Sequence, residues 1–243
     1  MTVLRAALFN ILFFGYTTLI ALWLLPQLLA RNGDVAPGIQ HWIAGILWLL
    51  EHVVGITYEL RGAENVPAGP AIVASKHQSA WDTMMFHRFV RSPAYVVKKE
   101  LMRIPLYGTY TRMSGSIVVD RKGGARALKD LVRNCRAALE ADRQIVIFPE
   151  GTRTAPGVRQ PYQPGVAALY HQLGVAVVPV ALNSGLYWGR RSFVKRPGRI
   201  LVEFLPAIPP GLGRKQFLAR LEERVESASA ALMAEAAMDN SGG

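Results

Sequence analysis

The sequence predicts an α/β fold, with a largely parallel or mixed central sheet flanked by helices and an apolar two-helix hairpin in front of it. Three observations lead there. Short apolar runs alternate with helical stretches after Gly55, residues 8–30 form an uncharged apolar stretch, and a second apolar segment follows a polar turn. Strands alternating with helices imply parallel pairing, because each crossover lays a helix on a face of the sheet. At 243 residues the chain accommodates one such domain plus an appendage.

The appendage comes first. Leu8 to Ala30 carries no charge and is long enough to cross a hydrocarbon layer of about 30 Å. A cleaved signal peptide would end in a small-x-small site, for which Leu28-Leu29-Ala30 is a poor match, so the stretch reads as an uncleaved anchor. Ile39 to Thr57 is interrupted by His41, Glu51 and His52; its uncharged centre is short for a span and suits a re-entrant or interfacial segment. Residues 31–38, RNGDVAPG, supply the turn between the two. The chain therefore divides into a membrane-docking hairpin at 1–55, a globular domain at 56–238 and a disordered tail at 239–243.

Within the globular domain, strands are expected at Ile56 to Leu60, Ala71 to Ala74, Ala94 to Val97, Ser116 to Val119, Ile145 to Phe148, Val175 to Val180 and Ile200 to Phe204. Helices are expected at Ser79 to Val90, Ala125 to Ala141, Pro164 to Leu173 and Arg214 to Met238. Sheets of this kind place their sites in the loops at the carboxyl ends of strands.

Composition points toward lipid. The chain is 51% hydrophobic and only 19% charged, which is apolar for a freely soluble protein. Residues 1–54 contain Arg5, Arg31, Asp34 and Glu51, which cancel, so the net charge of +11 belongs to the rest. A basic surface attracts phosphate. With an apolar N-terminus and no zinc-finger or RNA-recognition signature, anionic lipid is the expected partner and nucleic acid is not. Both ends of the hairpin lie on one side and positive regions are retained in the cytoplasm, so the expected location is the inner membrane with the domain facing the cytoplasm. Cys135, the single cysteine, excludes an internal disulfide and sits among Leu128, Leu131, Val132 and Leu139 as a packed thiol.

Two loops carry the chemistry. Ser75-Lys76-His77-Gln78-Ser79-Ala80-Trp81-Asp82 follows one expected strand and opens a helix. With Ser79 as N-cap, Asp82 falls at N3 and aims its carboxylate back at the loop holding His77. One reading is a capping box beside an ordinary loop histidine. The other is a general base: Asp82 fixes the tautomer of His77, and the second ring nitrogen takes a proton from a substrate hydroxyl. The second loop is Phe148-Pro149-Glu150-Gly151-Thr152-Arg153, where Gly151 permits close backbone approach, Thr152 offers a hydroxyl and Arg153 a guanidinium fork for phosphate. Gly115 to Arg121 ends another strand with an arginine, so Arg121 and Arg153 can converge on one anion. The histidines at 41, 52, 77, 87 and 171 show no metal-ligand spacing, so no metal is implied.

These residues resemble the glycerophosphate acyltransferases and, within them, the 1-acylglycerol-3-phosphate acyltransferases. His77 to Asp82 is similar to the family's first block, Gly115 to Arg121 to the second, Phe148 to Arg153 to the third, and Val177 to Asn183, centred on Pro179, to the fourth. Lys98-Lys99-Glu100-Leu101 and Ile104-Pro105 resemble the connector between the first two blocks. In the second block the family's aromatic is replaced by Ile117 and Val118.

The resemblance implies an acyl transfer from acyl-CoA or acyl-carrier protein to the sn-2 hydroxyl of lysophosphatidic acid, with no other cofactor. His77 would be the base and Asp82 its orienting partner. Arg121, Gly151, Thr152 and Arg153 would grip the acceptor phosphate, Lys98 or Lys99 would extend that grip, and Glu150 would hold one of the arginines. Attack is direct, in keeping with the absence of a G-x-S-x-G elbow. Two rivals stand beside this: the same chemistry on lyso-ornithine lipid or another lysophospholipid, and a catalytically silent protein that binds anionic lipid.

Overall fold

A computed structural model describes residues 2–30, 34–104 and 107–241. Helix α1 (Thr2–Trp23) is followed by the short α2 (Leu25–Leu29) and by α3 (Ala36–Leu49), whose last turn widens into a π-helix at Leu50–Val54 and stops at Gly55 in the left-handed conformation. Gly38 lies against Leu24, the Trp42 indole N–H donates to Thr17 Oγ1 at 3.0 Å, and Gly45 lies against Tyr16. Partners that descend along α1 as they ascend along α3 make the pair antiparallel. A Cβ at Gly38 would meet the Leu24 side chain and one at Gly45 the Tyr16 ring, so both glycines let these side chains pack closely. The turn expected at 31–38 falls partly on Arg31, Asn32 and Gly33, which lie outside the described residues, as does Pro105 of the connector.

The rest is the expected mixed sheet. Its strands are β1 (Ile56–Arg61), β2 (Ile72–Ser75), β3 (Pro93–Lys98), β4 (Ile117–Val119), β5 (Gln144–Ile147), β6 (Val177–Leu182) and β7 (Gly198–Phe204), in the spatial order β1-β7-β6-β2-β5-β3-β4. Every neighbouring pair is parallel except β6 with β7. The helices between them are α4 (Ala80–Phe89), α5 (Tyr107–Met113), α6 (Gly124–Glu140) and α7 (Pro164–Leu173), and α8 (Arg214–Ser241) closes the chain. Because α8 runs to Ser241, residues 239–241 of the expected tail continue a helix; Gly242 and Gly243 lie outside the described residues.

The central strands are apolar along their whole length because they are buried on both faces. Val73, Val146, Val178 and Val180 pack with α3 and α4 through Ile43, Ile46, Trp81 and Phe86. Their neighbours Ile72, Ala74, Ile145 and Ile147 face the other way, onto Leu131, Val166, Phe217 and Leu221 of α6, α7 and α8. The alternation follows from the two-residue period of a strand. Strands β2 to β6 are parallel, so their carboxyl ends share one edge of the sheet, and that edge carries the loops singled out in the sequence. One expected packing role is plain: Cys135 is fully buried on α6, where burial pushes its thiol up to about 12, far from a nucleophile's range.

Candidate active site

Strand β2 ends at Ser75 and the chain turns through Lys76, His77 and Gln78 before Ser79 caps α4. Ser79 Oγ accepts from the Trp81 N–H at 3.2 Å, and Asp82 at N3 reaches back to accept from the Ser79 N–H at 2.8 Å, a complete capping box. The same Asp82 Oδ2 accepts from the Gln78 N–H at 2.7 Å and lies 3.0 Å from His77 Nδ1. Its other oxygen accepts from Ser184 Oγ at 2.6 Å, and the carboxylate has no exposure to solvent. A carboxylate can only accept, so His77 Nδ1 carries a proton, and in the neutral ring Nε2 then holds the lone pair. The capping box and the histidine partnership therefore coexist in one carboxylate; they are not alternatives.

Phe148, which follows β5, stacks on the His77 ring with centroids 4.0 Å apart and planes 21° from parallel. Phe148 fixes the ring plane and Asp82 fixes its rotation. The His77 side chain is 12% exposed, and that exposed part faces a cavity of about 1230 Å³ that the imidazole lines.

Glu150 departs from the expectation that it holds an arginine. It is buried, takes the Lys76 ammonium at 2.7 Å, and accepts from the His77 backbone N–H at 2.8 Å and from Thr154 Oγ1 at 2.5 Å. Lys76 in turn reaches Glu226 of α8 at 2.7 Å, and the Tyr162 hydroxyl donates to the same Glu226 oxygen at 3.2 Å. Glu150 does not line the cavity. Its physical role is to lock the first loop to the third from behind, since a buried ammonium needs carboxylates around it. In sequence Glu150 lies three residues from Arg153, but its carboxylate is buried against Lys76 while Arg153 lines the cavity.

Arg121, just beyond β4, donates from its guanidinium to the Gly151 carbonyl at 2.8 Å. Gly151 sits at φ +68°, a left-handed backbone that favours glycine, and the absence of a Cβ leaves room for that guanidinium to lie close against it. Lys98, Arg121, Thr152 and Arg153 all line the cavity. Burial lowers the Lys98 amine below its usual range; repulsion from Arg121, Arg190 and Arg153 acts in the same direction, against the opposing pull of Glu100. Lys99 is elsewhere: its ammonium pairs with Asp120 at 2.9 Å on the surface, and it does not line the cavity.

Three features of the site were not singled out in the sequence. Ser184, immediately after the fourth block, holds the second oxygen of Asp82; a hydroxyl directly past a buried strand was the available signal. Glu226 is 150 residues from its partner Lys76, a separation that no local pattern bridges. Arg190 and Arg191 also line the cavity, from the segment between β6 and β7. His87 lines the cavity as well, and burial with the nearby Arg143 charge pushes its imidazole down to about 4, so it is neutral near pH 7.

The family model described as Acyltransferase matches residues 57–183, which include His77, Asp82, Arg121 and the third loop. The chain belongs to the acyltransferase family. It is 36% identical over 197 residues to the 1-acyl-sn-glycerol-3-phosphate acyltransferase of Pseudomonas aeruginosa, covering 81% of this chain and 77% of that protein. It is 32% identical over 186 residues to the enzyme of the same name from Limnanthes alba, covering 75% of this chain and 63% of the relative. The fold is that of the crystal structure of the 1-acyl-sn-glycerophosphate (LPA) acyltransferase PlsC from Thermotoga maritima, with a TM-score of 0.77 at 22% identity, over 96% of this chain and 98% of that one. As an acyltransferase, the protein presents the His77 imidazole to a cavity lined by both apolar and cationic side chains.

Proposed function

We propose that this acyltransferase moves a fatty acyl group from acyl-CoA or acyl-carrier protein to the free sn-2 hydroxyl of lysophosphatidic acid, giving phosphatidic acid. The observation that carries the reading is one cavity shared by His77, by apolar side chains such as Ile20, Leu22 and Leu101, and by the cations Lys98, Arg121 and Arg153. A lysolipid acceptor needs all three: a base for its hydroxyl, an apolar wall for its chain and guanidiniums for its phosphate. The names of the two curated relatives agree with it.

His77 Nε2 takes the proton of the acceptor hydroxyl as that oxygen attacks the thioester carbonyl. The ring becomes an imidazolium, whose charge the buried Asp82 carboxylate compensates. The tetrahedral intermediate collapses with cleavage of the carbon–sulfur bond, and the departing thiolate takes the proton from His77. Base and proton thus return to their starting places, and no side chain is acylated.

Helix α1 seats the domain on the membrane in this reading. Val3–Trp23 is 21 residues long, apolar enough to cross a membrane, and mostly left uncovered by the rest of the protein. Leu4, Ile11, Phe14 and Leu19 project at 77%, 70%, 65% and 67% exposure, an apolar flank that water disfavours. Leu22 on that flank and Ile20 on the opposite side of the helix both line the cavity, so a lipid can pass from bilayer to site along one helix. The basic domain faces the cytoplasm.

Purified protein incubated with labelled acyl thioester and a panel of lysolipids tests the acceptor. Lysophosphatidic acid should give the labelled diacyl product fastest. Arg153→Ala should raise its KM by roughly 10- to 100-fold, the worth of one or two charge-assisted hydrogen bonds, and barely affect acceptors without a phosphate monoester. Equal acylation of a phosphate-free lysolipid, or an Arg153→Ala defect shared by all acceptors, would overturn the assignment.

A further inference from the structure

Five cations line the cavity, namely Lys98, Arg121, Arg153, Arg190 and Arg191, and among the described residues no carboxylate lines it. A phosphate monoester brings a charge of about −1.5 to −2. Lys98, Arg121 and Arg153 already more than offset that. Arg190 and Arg191 are surplus for a single acceptor phosphate, and uncompensated cations lining one cavity repel one another unless a second anion joins them.

The two arginines are also held in place. The Arg190 guanidinium donates to the Arg153 carbonyl at 3.3 Å, which fastens it to the third loop. Arg191 has φ +57°, a left-handed backbone that a residue with a side chain keeps only where its surroundings impose it. Those surroundings are visible. The Ser192 N–H donates to the Gly189 carbonyl at 3.2 Å and its hydroxyl to the Val194 carbonyl at 2.6 Å. The buried Lys195 donates to Asn10 Oδ1 of α1 at 2.7 Å and to the Phe193 carbonyl at 3.1 Å, and sits 5.2 Å from the Trp188 ring centroid. The segment is thus pinned to α1, while both arginine side chains remain solvent-exposed.

We infer that Arg190 and Arg191 form a donor subsite that binds the phosphate of the phosphopantetheine arm carrying the acyl thioester. The inference rests on the acyl-transfer reading above and deepens it. Coenzyme A and acyl-carrier protein both present this arm, so the shared chemistry is a phosphate linked to pantetheine. The acceptor phosphate then belongs to Arg121 and Arg153, and the two anions enter the cavity on different arginines.

Equilibrium binding of 4′-phosphopantetheine, coenzyme A and pantetheine to the purified full chain, wild type and Arg190→Ala/Arg191→Ala, tests it without requiring turnover. Wild type should prefer phosphopantetheine and coenzyme A to pantetheine by at least about tenfold, as expected of charge-assisted hydrogen bonds, and the double variant should lose that preference. In turnover, the KM for acyl-CoA and for acyl-carrier protein should both rise at least about tenfold, with the KM for lysophosphatidic acid unchanged. A phosphate preference that is absent in wild type or survives the substitutions overturns the subsite. So does a loss confined to coenzyme A, which would place the arginines on its nucleotide phosphates, or a defect that falls on lysophosphatidic acid. If the binding preference is found but wild type acylates no lysolipid, the acyl-transfer reading fails and the phosphate subsite stands.

Discussion

His77→Ala will lower kcat for acyl transfer by roughly 10²- to 10⁴-fold, the usual worth of a positioned general base, with membrane association and fold intact. The fold should survive for a structural reason. Removing the imidazole leaves Asp82 with three other donors, the Gln78 and Ser79 N–H groups and the Ser184 hydroxyl, so no buried carboxylate is orphaned. Phe148 loses its stacking partner at the edge of a solvent-reachable cavity, which costs little. Steady-state transfer with circular dichroism and vesicle flotation on the same preparation reads both halves. Unimpaired transfer would remove His77 from the chemistry, and loss of folding would leave the matter to His77→Gln, which fills more of the same volume.

The second large effect is expected of Asp82→Asn. Two backbone N–H groups point at Oδ2, so the amide must place its oxygen there and its NH2 toward Ser184, whose hydroxyl can turn to accept. The His77 Nδ1 proton keeps its acceptor and the tautomer is preserved. What disappears is the negative charge opposite a ring that must become positive, at a site with no solvent exposure. That loss should lower kcat by roughly 10²- to 10³-fold, with little change in KM or in melting temperature. Asp82→Ala is the blunter variant: it strands two buried N–H groups, that of Gln78 and the Ser79 N–H of the capping box, each worth about 1–2 kcal/mol, so its inactivity would confuse catalysis with folding. An Asp82→Asn protein with normal kcat would show that the carboxylate matters only as a cap.

The sheet was readable because its strands are buried on both faces. Val73, Val146 and Val178 sit on one side and their neighbours on the other, so each strand is a continuous apolar run bounded by polar loops. The reversal of β7 against β6 was not readable, since a strand's sequence does not record its neighbour's direction. Helix α5 was missed because YGTYTRM has no apolar face at helical spacing. At the site, the relation of His77 to Asp82 was legible because it is local, five residues within one loop and one helical turn. Glu150 misled for the opposite reason: the charge nearest to it in sequence is not its partner in space, and the Lys76 ammonium that it takes comes from the loop after the neighbouring strand β2 and is shared with Glu226 of α8. Lys99 could not be separated from Lys98 by eye, yet adjacent residues at the end of a strand diverge, one into the cavity and the other to Asp120.

The central claim is that the acceptor hydroxyl, activated by His77, attacks the thioester directly. Rapid quenching of wild-type protein with labelled acyl thioester, with and without lysophosphatidic acid, followed by intact-protein mass spectrometry and lipid analysis, tests it most directly. The label should pass into phosphatidic acid only when the acceptor is present, with no acyl group on the protein at any time. An acylated protein that forms without acceptor and is then consumed when acceptor is added would contradict the account.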